Sequence, residues 1–254
     1  MGMPRDGRSE AQLERVQGSR DDDCIKLKTK WAAFEALVGN GAADLPATFL
    51  PAPAWRLQST GVPEIDIHVS TRIRFNERKA TQAAAHLLRL RGGRMSYLKL
   101  IKLLYLADRE ALLRWGRPIS TDRYVSMDRG PVLSRVLDLA TDGDVPGAPS
   151  IWAASISAPG NYEVELKADA GDDELSEAEI EILDAVFAQH GRKSRWDLVK
   201  LTHALPEWID PRGGAIAIAY RDVLKAGGKS DLEIAAIEEE LAELAETDLL
   251  LAPC

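Results

Sequence analysis

The chain has 254 residues, 45% of them apolar, and a formal net charge of −8. That apolar content supports a sizeable core, and the surplus of acid argues against a protein that holds nucleic acid over a broad surface. No apolar run reaches membrane-spanning length, the opening Met-Gly-Met-Pro-Arg-Asp-Gly-Arg lacks the apolar core of a secretory signal, and Cys24 and Cys254 form neither a metal nor a disulfide pattern. A reducing cytoplasm is the expected location.

Residues 1–22 are polar and charged and are expected to be disordered. From Asp23 to Val38 an acidic start precedes Ile25, Trp31, Phe34, Leu37 and Val38, the pattern of one short amphipathic helix. Pro46, Pro51, Pro53 and Pro63 then exclude regular helix, and Glu64–Ser70 alternates as a weak strand with His68 toward solvent. Residues 1–70 are therefore set apart as an N-terminal extension.

A second helix is predicted from about Asn76 to Arg89, stopped by Gly92-Gly93, with His86 as an interface histidine. Between Arg72 and Lys102 stand nine Lys or Arg against one acid, Glu77. This stretch reads first as a solvated face, then as a docking surface for an acidic protein, and last as a nucleic-acid surface, because stacking aromatics are not interleaved.

The Ser96–Pro131 stretch organises the rest. Ser96 can cap a helix and Gly116 can end it with a positive φ, so a helix of about five turns is predicted between them. At about 100° per residue, Lys99, Lys102, Arg109, Glu110 and Arg114 fall on one side, predicted to face water. The remaining arc, from Tyr97 through Leu112, is apolar and too wide for one neighbour, which makes this the central buried helix. Asp108 projects within that arc. A carboxylate there must accept backbone N–H groups or meet a cation or hydroxyl, and Thr202 and His203 are the candidates to reach it.

Beyond Gly116, Asp122–Met127 reads as extended, and Gly130-Pro131 as the entry to a helix running to about Leu139. Thr141–Ser150 reads as a loop, and Ile151–Ser157 with Tyr162–Asp169 as a hairpin. Ser176 and Glu179 have reciprocal capping spacing before a helix that Gly191 stops. Ser194 opens another over Arg195–Ala204, and a helix at Tyr220–Ala226 ends at Gly227-Gly228. Ser230 with Glu233 repeats the cap before an acidic helix to about Ala245, and Leu249–Leu251 is either an exposed tail or a last core contact. The fold class that results is α+β, predominantly helical, with a central buried helix and a small antiparallel β-hairpin at one side.

The sequence holds no Gly-rich phosphate loop, His-Glu-x-x-His helix, paired Cys-x-x-Cys or nucleophile elbow, so no cofactor, metal or catalytic residue is assigned. The best catalytic constellation that can be assembled is a hydrolase built on Asp108, His203 and a hydroxyl from Ser126 or Tyr124.

The run Leu100-Ile101-Lys102-Leu103-Leu104-Tyr105-Leu106-Ala107-Asp108-Arg109-Glu110, followed by Gly116-Arg117-Pro118-Ile119, Asp122-Arg123-Tyr124 and Met127 through Gly130-Pro131, resembles the Panacea domain of SocA-like antitoxins of bacterial and phage toxin–antitoxin pairs. Leu175-Ser176-Glu177, then Thr202-His203 before Pro206-Glu207-Trp208, are similar to its later landmarks, and the likeness spans about residues 76–230. The resemblance implies a non-catalytic protein that binds and neutralises a cognate protein toxin, and that in a SocA-type member also delivers the toxin to the ClpXP protease. It assigns Lys102, Tyr105, Asp108, Arg109, Tyr124, Met127, Gly130, Pro131, Thr202, His203 and Trp208 to partner binding or to the family motif. It also places an antitoxin domain at 71–230; the acidic helix and tail at 231–254, read from the residues, follow it. A DNA-binding regulator using the basic 72–102 stretch is the first alternative, and the hydrolase the second.

Overall fold

The computed structural model of the chain describes residues 74–142 and 150–251. The expectations for 1–22, 23–38, the proline strap and the 64–70 strand lie outside the described residues, as does most of the 141–150 loop.

Helix α1, Glu77–Arg91, starts where the Asn76 side chain accepts the Lys79 N–H at 3.0 Å and ends at Gly92, whose φ of 92° lets its own N–H turn back to Arg89 O. Its buried Ala80, Ala83, Ala84 and Ala85 allow close approach to its neighbours. Strand β1, Arg94–Ser96, runs directly into α2, Tyr97–Trp115, which Gly116 terminates at φ 71°. The Ser96 hydroxyl makes no capping bond. The Tyr97 N–H donates instead to Tyr162 O at 3.0 Å, so a neighbouring hairpin does the work expected of the serine.

Helix α2 is buried from Tyr97 through Asp108 and again at Ala111 and Leu112. The side expected to face water does not. Lys102 is 0% exposed, and Lys99 and Leu106 are buried as well, because later elements cover that flank; only toward Glu110 and Arg114 does it open to solvent.

Those later elements are β2, Tyr124–Met127; β3, Gly130–Leu133; α3, Ser134–Asp142; α4, Ile151–Ser155; β4, Ile156–Gly160; β5, Glu163–Leu166; α5, Glu177–His190; α6, Arg195–His203; β6, Ile216–Ile218; α7, Tyr220–Ala226; and α8, Asp231–Leu251. Helix α2 packs against α1, α5, α6, α7 and β3. Among the described residues two antiparallel three-stranded sheets flank it, in the orders β1-β5-β4 and β3-β2-β6. The architecture is α+β and predominantly helical.

Gly130-Pro131 does not begin a helix. It opens β3, with Val125 opposite Val132 and Tyr124 opposite Leu133, and Pro131 is tolerated because β3 is an edge strand. The helix starts at Ser134, where the Asp122 carboxylate accepts the Arg135 and Val136 N–H groups at 3.1 and 3.0 Å. Ile151–Ser155 is likewise a helical turn rather than strand, capped by Ser150 accepting the Ala153 N–H at 3.1 Å. The hairpin that follows turns through Asn161 and Tyr162, both at positive φ, as a tight primed turn requires. Strand β6 carried no sequence signal. The capping pairs at Ser176, Ser194 and Ser230 all form, and α8 runs on to Leu251.

Candidate functional site

Three buried polar nodes join α2 to the 120–131 and 202–208 segments, and buried Lys99, a turn before them, donates to Gly191 O. Lys102, Tyr105 and Arg109 stand at successive turns and face the 127–131 and 202–208 segments, while Asp108 faces the 120–124 segment.

At the first node, Lys102 Nζ donates to Pro131 O at 2.6 Å, and complete burial holds its ammonium well below the ordinary lysine value. Gly130, at φ 91°, lets the backbone reach this point: a Cβ there would sit 2.6 Å from Thr202 Oγ1 and 3.0 Å from Lys102 Nζ. The Thr202 hydroxyl donates to Leu198 O and Val199 O at 2.9 and 3.1 Å. The His203 ring stacks on Trp208 with centroids 4.0 Å apart, and Trp208 Nε1 donates to Met127 O at 3.1 Å. Burial, followed by the charge of Lys102, pushes the His203 imidazole below its ordinary value.

At the second node the Glu207 carboxylate, its side chain 0% exposed, accepts the Tyr105 hydroxyl at 3.0 Å and Arg109 Nε and Nη2 at 2.6 and 3.3 Å. Burial and this carboxylate raise the Tyr105 phenol well above its ordinary value. Glu207 stands beside the expected Trp208, yet composition alone did not single it out. The signal was Tyr105 and Arg109 one turn apart on an apolar helix, a donor pair that requires a distant acid.

At the third node Asp108, 1% exposed, accepts the Ser120 N–H at 3.0 Å and the Ser120 and Tyr124 hydroxyls. Burial pushes its carboxyl up to about 7, against the hydrogen bonds from Ser120. Asp122, which caps α3, is pushed up to about 6 by the same cause. The Tyr124 ring meets Tyr105 edge-on at 5.3 Å and lies 4.9 Å from Tyr220, whose hydroxyl donates to Asp122 O at 2.8 Å.

Asp108 is thus satisfied as required, though not by Thr202 or His203: Ser120, twelve residues on, already meets both carboxylate oxygens. The hydrolase constellation does not assemble either. Tyr124 reaches Asp108, but the Ser126 hydroxyl accepts the Ile209 N–H at 3.2 Å and His203 lies flat on Trp208. What the nodes do is lock the 120–133 and 198–208 segments onto α2. Beside them, a groove of about 320 Å³ runs between β6, α7 and Pro206–Ile209. Among the described residues no three His, Cys, Asp or Glu cluster to hold a metal ion, and no helix is long and apolar enough to cross a membrane.

The ordered motifs of α2, β2–β3 and the 202–208 corner therefore converge in space. Residues 100–209 match the family model of the SocA-like antitoxin Panacea domain. Comparison with curated proteins and with solved structures found no match. The Panacea match starts one turn into α2 and ends just past Trp208, so it contains all eleven residues assigned from the resemblance and every residue of the three nodes except Tyr220, while α1, β6, α7 and α8 lie outside it.

Proposed function

We propose that this protein is the antitoxin of a toxin–antitoxin pair and works by binding and neutralising a cognate protein toxin in the cytoplasm, with its contacts on the 71–230 domain. The observation that carries this reading is the coincidence of the Panacea match with the interlocked 100–209 region. The enclosed Asp108 supports a binding role over a catalytic one, because a reacting carboxylate needs access to substrate. The DNA-regulator alternative is weakened by the pairing of its cations. Arg78 meets Asp173 at 2.8 Å, Lys79 meets Glu179 at 2.7 Å, Arg89 meets Asp169 at 3.4 Å and Arg94 meets Glu163 at 2.6 Å.

The test is coexpression with the product of the adjacent gene. Growth arrested by that product resumes, and the two proteins copurify in stoichiometric amount; no rescue and no copurification would end the proposal. Delivery to ClpXP is the second limb of the proposal, supported by the SocA-like description alone. In cells lacking ClpX the toxin should persist as a complex, whereas with ClpX its half-life should shorten only when the antitoxin is present.

A further inference from the structure

The segment Arg192–Lys200 carries Arg192, Lys193, Arg195 and Lys200 against one acid, Asp197. It forms the joint between α5 and α6 and is held firmly. Buried Lys99 donates to Gly191 O at 2.5 Å, and Ser194 and Asp197 cap each other, with the Asp197 N–H to Ser194 Oγ and the Ser194 N–H to Asp197 Oδ2 both at 3.2 Å. Trp196 stands on this joint 44% exposed. Over its ring lie the guanidiniums of Arg195, at 5.3 Å from the centroid, and of Arg129 from the β2–β3 turn, at 5.1 Å.

The sequence places its densest positive charge at 72–102, but the acids of 163–179 in the same chain meet that charge. At the joint Arg192 and Lys200 are exposed, and the one acid of the segment, Asp197, is held in the helix cap within reach of the charges of Lys200 and Lys193, which leaves four cations facing a single acid. An indole framed by arginines is the composition of an energetic centre in a protein interface. A net charge of −8 repels a phosphate backbone. Planar guanidiniums on a fixed loop instead suit carboxylates, which they bind with paired N–H donors.

We propose that the surface formed by Arg192, Lys193, Arg195, Trp196 and Arg129 docks an acidic segment of a partner protein, which, on the antitoxin reading above, is a segment of the toxin.

The experiment compares the full chain with Arg192→Glu/Lys193→Glu, the triple variant that adds Arg195→Glu, and Lys167→Glu as a reversed exposed lysine elsewhere. Each is coexpressed with the adjacent-gene product and titrated separately with a fluorescein-labelled peptide of glutamates and a labelled dT oligonucleotide of equal length. Arg195 lies in the first turn of α6, where an acid suits the helix dipole, and the double variant leaves the Arg195–Trp196 contact intact. The expected result is about tenfold weaker copurification and glutamate-peptide binding in both joint variants, with a melting temperature within about 5 °C of the parent's, since only surface contacts such as Lys193 to Gln189 O are lost, and with Lys167→Glu behaving as the parent. Copurification of the triple variant at the parent's level overturns the docking site and leaves the antitoxin reading standing. If the parent rescues no growth and captures no adjacent-gene product, the antitoxin reading falls; glutamate-peptide binding lost on reversal then still supports the site, and its absence overturns it. Tighter binding of the oligonucleotide than of the peptide also overturns it.

Discussion

Asp108 shows how one carboxyl ties a segment to the central helix. Its folded-state value of about 7 lies above the ordinary 3.8, so between those values the folded chain keeps a proton that the unfolded chain gives up. Stability from this group is therefore fully present below about pH 4 and is lost as pH rises through about 7, by on the order of 4 kcal/mol. Asp108→Asn keeps an acceptor for Ser120 and cannot ionise. Melting temperatures from pH 4 to pH 8 should show the parent falling relative to this variant, and parallel curves would refute the assignment. Asp108→Ala strands the Ser120 N–H and the two hydroxyls and should lose about 1 to 3 kcal/mol. That this acid needs partners is legible from its place in an apolar arc. Which partners it finds is not, since Ser120 and Thr202 are equally plain hydroxyls in a string of letters and only the path of the 116–122 turn separates them. Lys102 misleads for a related reason. A lysine on a helix flank implies water until β3 and the turns beyond α6, encoded about 30 and 100 residues later, close over it.

At the scale of elements, local signals served where the chain satisfies itself locally. Gly92 and Gly116 end their helices, and the Ser176, Ser194 and Ser230 boxes start theirs, because each bond spans at most five residues. Gly130-Pro131 deceived because its helix-entry pattern competes with pairing to β2 and with a cap supplied by Asp122, both set by tertiary structure. The same glycine offers a direct test. Gly130→Ala combines φ 91° with a Cβ 2.6 Å from Thr202 Oγ1 and should lose about 2 to 4 kcal/mol. Gly213→Ala, at φ 78° with nothing within 4 Å, should lose only about 1 kcal/mol. Chemical denaturation of the two variants checks the ranking, and equal losses would show that the crowding at Thr202 is relieved at no cost.

For the whole molecule, the acid surplus is not spread evenly: much of it sits on α8, which is nonetheless part of the packed body. Ile234 and Leu241 are buried, Ile237 lies 3.1 Å from where a Gly116 Cβ would be, and Glu240 and Glu238 meet Arg117 and Arg221 at 2.5 and 2.9 Å. A chain ending at Ser230 removes those side chains, bares the surface around Gly116 that Ile237 covers and leaves Arg117 and Arg221 without their glutamates, and should lose about 3 to 5 kcal/mol, with a melting temperature lower by about 10 °C. Calorimetry of the shortened chain checks this, and an unchanged transition would make α8 an appendage. The pairing of the 72–102 cations with the 163–179 acids was invisible in a residue count for the same reason, since each stretch reads as an excess until the fold lays one beside the other. The sealed Lys102 has a further consequence. An amine with no route to solvent cannot be acylated while the chain stays closed, so a label found on that side chain after mild exposure to an amine-reactive ester records a molecule that opened, and the slow rise of that label is a clock for the opening of this core.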